Sequence, residues 1–308
     1  MDDVLVLWDI DGTLLNADSV GRDLYDVVFL QLFGRSLSAY APMAGRTDRA
    51  IILETLSLAG VDEPRRYVDP FIAGLVEHAS SVRTAVAERG HALPGAAAVL
   101  ATLAAARTLG SLAAAAPLLA AAPVAAAPVA APPAATSPLV APPLTVQAIT
   151  DQSLAAQSLT APPMAAPAMA ADLADGADAG TGRIHQSVLT GNIRSVAEVK
   201  LAALGLREWL DLCIGAYGDD HEDRTELVEV ARRRAAAVHG RSAGAFDGTA
   251  TVVIGDTPLD IAAALAADAR AVGVATGSHS AGDLAMAGAD AVLADLTDTA
   301  AVLRALLP

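Results

Sequence analysis

The run Val4 to Trp8 is unbroken apolar sequence, and it stops abruptly at Asp9-Ile10-Asp11-Gly12-Thr13. Read as a strand, it is followed by two aspartates at i and i+2, a spacing that puts both carboxylates on one face. Gly12 and Thr13 let the backbone turn sharply where the run ends. Asp9 and Asp11 are therefore expected to project from a strand tip rather than lie in a core. Two readings stay open at this point: turn formers, since Asp-Gly is also a hairpin signal, or acids placed for chemistry.

Further apolar runs read as strands at Ile184 to Leu189, Leu212 to Ala216, Thr251 to Ile254, Ala271 to Val274 and Ala291 to Leu293. Helical patterns separate them at Ala197 to Leu204, Glu222 to Val238, Asp260 to Ala266 and Asp283 to Ala287. This alternation predicts an α/β fold, a Rossmann-like parallel sheet with helices on both faces. In such sheets ligands bind beyond the carboxyl ends of the strands. The stretch 15–90 breaks the alternation, with helical patterns at Gly21 to Phe33, Asp48 to Leu58 and Phe71 to Arg89 and no strand signal. We read it as a helical domain inserted over the tip of the first strand, and residues 1–14 and 91–308 as the core domain.

The core is interrupted at 104–182, where Ala and Pro dominate and eleven of the chain's 17 prolines fall. A membrane span needs about 20 apolar residues free of such breaks, and each interior proline costs a helix about 3 kcal/mol. A low-complexity, partly polyproline-like linker is the expected state. It lies between the helix around Pro94 to Arg107 and the strand near Ile184, at that strand's amino end, away from the expected site.

Chemistry is sought at the other strand ends. Thr190 in Thr190-Gly191-Asn192 offers a hydroxyl, and Gly191 allows backbone amides to turn toward an oxyanion at a helix start; Thr190 as a simple helix cap is the alternative. Lys200 is the chain's only lysine, a compact point charge on the helix that follows. In Gly255-Asp256-Thr257-Pro258-Leu259-Asp260, Asp256 sits at a strand tip and Pro258 suits a first helical position. Asp260 is open to two readings, a site acid or the partner of Thr257 in a capping pair.

Asp9-Ile10-Asp11-Gly12-Thr13-Leu14-Leu15 resembles motif I of the haloacid dehalogenase superfamily. The segments at Thr190, Lys200 and Asp256 resemble its motifs II, III and IV, and the layout resembles the helical cap of its phosphoglycolate phosphatase-like and beta-phosphoglucomutase-like members. The third motif departs from the commoner pattern, a Lys-Pro after the third strand, where this chain has Asp219-Asp220-His221-Glu222-Asp223-Arg224. Lys200 matches members that carry the lysine after motif II, with Arg224 as the fallback cation. The resemblance implies Asp9 as nucleophile, Asp11 as general acid and base, and Thr190, Gly191 and Asn192 as holders of the phosphoryl group.

Carboxylates about 5 Å apart repel by roughly 3 kcal/mol per pair at an effective dielectric of 20, so a cluster of Asp9, Asp11, Asp256 and Asp260 calls for a cation. Oxygen donors select a hard ion, and Mg²⁺ is the usual partner of phosphates. The family's ligands map onto Asp9, the backbone carbonyl of Asp11, and Asp256. Asp11 also weighs against dehalogenation, which expels halide and needs no proton donor. In the cap, Ala44-Gly45-Arg46-Thr47-Asp48-Arg49 resembles the loop that faces the active site, with Arg46 a candidate clamp for a substrate anion.

The expected activity is Mg²⁺-dependent hydrolysis of a small phosphate monoester, of the phosphoglycolate or sugar phosphate class. A phosphotransferase of the phosphoglucomutase type and a non-catalytic binding module are the alternatives. A net charge of −15 argues against a nucleic-acid surface, and no membrane association is expected. The acidic start Met1-Asp2-Asp3 shows no basic leader, so cytoplasmic residence is expected; oligomeric state is left open. The six histidines are read as structural or solvated, and Cys213, the single cysteine, as a buried small hydrophobe.

Overall fold

Along the chain the elements run β1 (Val4–Trp8), β2 (Leu15–Asn16), α1 (Val20–Phe33), α2 (Asp48–Leu58), α3 (Val68–His78), α4 (Val82–Arg89), β3 (His91–Ala92) and α5 (Ala96–Ala106). There follow β4 (Ile184–Val188), α6 (Arg194–Ala203), α7 (Leu227–Val238), β5 (Thr251–Gly255), α8 (Pro258–Ala266), β6 (Arg270–Val274), α9 (Ala281–Met286), β7 (Ala291–Leu293) and α10 (Thr299–Leu306). This is a computed structural model that describes residues 3–17, 20–106 and 182–306, all within one compact unit. The Ala/Pro stretch expected as a linker lies outside the described residues, apart from its margins.

The sheet is parallel, in the order β4-β1-β5-β6-β7. The two-residue strand period sorts β1 between two cores: Val4, Val6 and Trp8 join one apolar cluster, Leu5 and Leu7 the other. The first face is covered by α5, α6 and α10 through Val99, Leu100, Leu103, Val196, Leu201, Val302 and Leu303. The opposite face is covered by α7, α8 and α9 through Leu227, Val228, Ile261, Ala264 and Leu284. Burying each such Val or Leu contributes about 1.5–3 kcal/mol, so both faces of β1 anchor the tip that carries Asp9.

Helices α1 to α4 are inserted between β2 and β3, whose antiparallel pairs Leu15↔Ala92 and Asn16↔His91 form the stem. The sequence reading missed this ribbon, since two residues carry no periodicity. It also read one helix over Phe71 to Arg89, where the chain makes two. Ser81 Oγ donates to the His78 carbonyl (2.6 Å), and such local side-chain bonds compete with helix continuation.

The expected strand Leu212 to Ala216 does not form. Only Ala216 bridges Leu189, because the Asp211 carboxylate accepts the Cys213 amide (3.0 Å) and turns the chain. Cys213, expected to be buried, is exposed in that turn. No helix among the described residues is long and apolar enough to cross a membrane.

Candidate active site

At the carboxyl end of β1, Gly12 takes φ +86°, and a Cβ there would lie 2.5 Å from Asp256 Oδ2. Only glycine therefore lets the first loop close onto the end of β5. Thr13 Oγ1 donates to Asp256 Oδ1 (3.2 Å), and Thr276 Oγ1 donates to the Gly12 carbonyl (2.5 Å). Asp9 and Asp256 are thereby buried side by side.

Asp260 completes the group. It sits in the first turn of α8, where the Thr257 amide (3.0 Å) and hydroxyl (2.7 Å) donate to its Oδ2. Its Oδ1 faces Arg224, so Asp260 caps α8 and also lies against the other acids. Oxygens of Asp9, Asp256 and Asp260 lie within 4.8 Å of one another. Arg224 spans two of the three: its Nη2 donates to Asp9 Oδ1 (2.6 Å), to Asp260 Oδ1 and to the Leu189 carbonyl (3.3 Å).

One guanidinium does not neutralise three buried carboxylates. Burial, then the neighbouring charge of Asp260, pushes Asp9 well above the usual carboxylate range despite Arg224. The same two causes push Asp256 up to about 7. Burial works against the charge on Arg224, but Asp260 and Asp9 hold it protonated. A close set of anionic oxygens short of positive charge fits a hard divalent cation.

Asp11 is placed apart from that set. Lys200 Nζ donates to both of its oxygens (2.9 and 2.7 Å) and to Asn192 Oδ1 (2.8 Å), while Asn192 Nδ2 donates to Asp11 Oδ2 (2.6 Å) and Thr190 Oγ1 (3.0 Å). The Asp11 side chain is 42% exposed against 6% for Lys200, so the acid faces the cleft and the lysine backs it. Lys200 and Arg224, the two candidate cations, thus lie against different acids, Lys200 against Asp11 and Arg224 against Asp9 and Asp260.

The helical insert docks against these loops. The Asp48 amide donates to the Gly191 carbonyl (2.7 Å), Arg49 Nε to the Asp219 carbonyl (3.0 Å), and Thr47 Oγ1 to the Glu222 carbonyl (2.6 Å). A Cβ on Gly191 would lie 1.9 Å from the Arg46 carbonyl, so glycine is needed there for close approach as well. Asp48, half-buried, accepts from Tyr25 Oη (2.7 Å) and from the Ile193 amide (2.8 Å), and desolvation raises its pKa. Asp219 accepts the next amide, Arg194 N (3.0 Å). Two amides at the start of α6 are therefore held by carboxylates.

Arg46 lines the cleft, but its guanidinium is tied to Glu54 (2.6 Å) and to the Pro42 carbonyl (3.2 Å). Together the strand ends and the insert enclose a cleft of about 760 Å³ lined by Asp9, Asp11, Thr190, Gly191, Asn192, Lys200, Arg224 and Asp256. Sequence reasoning did not single out Asp48 or Tyr25, whose partners are distant in the chain; the position of Asp48 at the start of a helical pattern was the one signal available.

The HAD-hydrolase-like family model matches residues 226–299, which hold Asp256 and Asp260. The chain is similar in structure to a predicted phosphatase from Clostridium acetobutylicum, with 13% identity, a TM-score of 0.51 and 99% of each chain covered. It is also similar to a haloacid dehalogenase-like family hydrolase from Streptococcus pneumoniae, with 11% identity, a TM-score of 0.50, and 97% of this chain and 98% of that one covered. No curated protein matches the chain. The strand order and these likenesses give the chain the fold of haloacid dehalogenase-like hydrolases, and within it residues 226–299 match that family's model.

Proposed function

We propose that the protein is a Mg²⁺-dependent phosphatase acting on a small phosphate monoester through an aspartyl-phosphate on Asp9. The observation that carries this reading is one cleft holding a buried aspartate cluster short of positive charge, with a separate, exposed acid braced by Lys200. The Clostridium neighbour bears the name of a predicted phosphatase, an activity of the same kind. Residues 15–90 act in this reading as a cap over the site.

An Asp9 oxygen forms a bond to phosphorus as the bond from phosphorus to the ester oxygen breaks, and Asp11 in its protonated form gives its proton to that leaving oxygen. Water then attacks the same phosphorus, passes a proton to Asp11 and frees Asp9 and inorganic phosphate. Thr190 Oγ1, Arg224 and Lys200 offer donors to the phosphoryl oxygens. Asp9, Asp256 and the backbone carbonyl of Asp11 would hold Mg²⁺, with Asp260 beside them, and the ion would supply charge against those oxygens.

The test is phosphate release from a panel of phosphorylated metabolites, with Mg²⁺ and with chelator, for the native chain and Asp9→Asn. The substitution should lower turnover on the order of 10³-fold or more, and chelator should abolish it. Turnover that survives Asp9→Asn, or no hydrolysis of any ester, would reject the reading. A positional isomer formed from a sugar phosphate would instead identify a phosphotransferase.

A further inference from the structure

Three arginines, Arg22, Arg46 and Arg89, line the side of the cleft formed by the helical insert. Two of them face acids: Arg46 binds Glu54 at 2.6 Å and Arg89 binds Asp23 at 2.8 Å. Arg22, in the first turn of α1, has no carboxylate partner among the described residues. The acids nearest it in the helix are engaged elsewhere, Asp23 by Arg89 and Asp26 by Tyr40 Oη (2.5 Å).

What holds Arg22 is a ring. Its guanidinium lies 5.7 Å from the centroid of Tyr40, whose hydroxyl is anchored on Asp26. A guanidinium over an aromatic face keeps its N–H donors, which lie in its own plane, available to a ligand. A planar fork of this kind matches a carboxylate or phosphate bidentately. At the other side of the same cleft stand Asp9, Lys200 and Arg224.

We infer that Arg22 is a specificity-determining residue that receives a second anionic group of the substrate, so that the substrate class is a phosphate ester carrying a further carboxylate or phosphate. This rests on the phosphatase reading for the group held at Asp9. An ester with an uncharged tail would leave Arg22 to water, while a dianionic one reaches from the phosphoryl position at Asp9 to Arg22 across a cleft sized for small ligands. Arg46, the residue that sequence pointed to, contributes less because Glu54 already balances its charge.

Calorimetric binding to the full chain in Mg²⁺ tests this without turnover. The probes are phosphonoacetate and its longer homologues against alkylphosphonates of equal length, with α,ω-alkane bisphosphonates as a second arm. At the matching length the doubly anionic probe should bind about tenfold or more tighter, and Arg22→Gln should remove that advantage while Arg22→Lys keeps part of it. The arm with the larger advantage identifies the second group as carboxylate or phosphate. No advantage at any length, or one that survives Arg22→Gln, overturns the inference. Phosphate release from the panel of phosphorylated metabolites, dianionic esters included, is measured beside it: if no ester is hydrolysed while the Arg22-dependent advantage holds, the phosphatase reading falls and the anion site stands.

Discussion

Asp256 shows how a single buried acid couples protonation, metal and stability. Its carboxyl is pushed up to about 7, against about 3.9 in an unfolded chain. Between those values the folded protein holds a proton that the unfolded chain has released, so stability falls as pH rises through that window. Asp9 is shifted in the same direction, and a divalent cation competes with both protons. In chelator the melting temperature should therefore decline from about pH 5 to about pH 8, and Mg²⁺ should raise it more at the higher pH. Asp256→Asn should remove most of the Mg²⁺ effect. An equal Mg²⁺ shift at both pH values, or one untouched in the variant, would contradict the electrostatic account. At this scale the sequence was informative where a strand end and an acid coincide, as at Asp9 and Asp256. It could not apportion Lys200 and Arg224, because Lys200 meets Asp11 across 189 residues and Arg224 meets Asp9 across 215.

The elements most legible in sequence were those with a buried period, such as β1, β5 and α2. The weakest were edge and stem pieces, where Asp211 turns the chain at an expected strand and where Leu15–Asn16 pairs over only two residues. The docking of α2 on α6 was invisible for a different reason: a carboxylate and a backbone amide 145 residues apart have no local signature. Asp48 acts as a cap for α6, a helix whose own N-cap residue, Ile193, makes no side-chain cap bond. Asp48→Ala leaves the Ile193 amide and Tyr25 Oη without their acceptor, which should cost about 1–3 kcal/mol in urea unfolding. It should also speed exchange of the Ile193 amide proton. Gly191→Ala should loosen the same contact by forcing a Cβ against the Arg46 carbonyl. Unchanged exchange at Ile193 in Asp48→Ala would remove Asp48 from this role.

Across the whole molecule, the parallel sheet separates the ends where residues meet chemistry from the ends where the chain enters. The strand β4 runs parallel to β1 and pairs Ile184 with Val4, so the chain enters β4 at the end of the sheet opposite Asp9. The preceding helix α5 ends at Ala106, with Leu100 O bound by Gln186 Nε2 of β4 (2.9 Å). Neither anchor point, Ala106 or Ile184, is among the described residues that line the cleft, and closing a loop costs only logarithmically with its length. Replacing residues 111–178 by a Gly/Ser linker of about 20 residues, with an r.m.s. span of about 25 Å, should therefore preserve Mg²⁺-dependent phosphate release within about twofold and leave the binding of phosphonate probes unchanged. Steady-state kinetics on the two chains decides it: a large rise in KM would give the replaced segment a part in substrate capture, which the position of its two anchor points argues against.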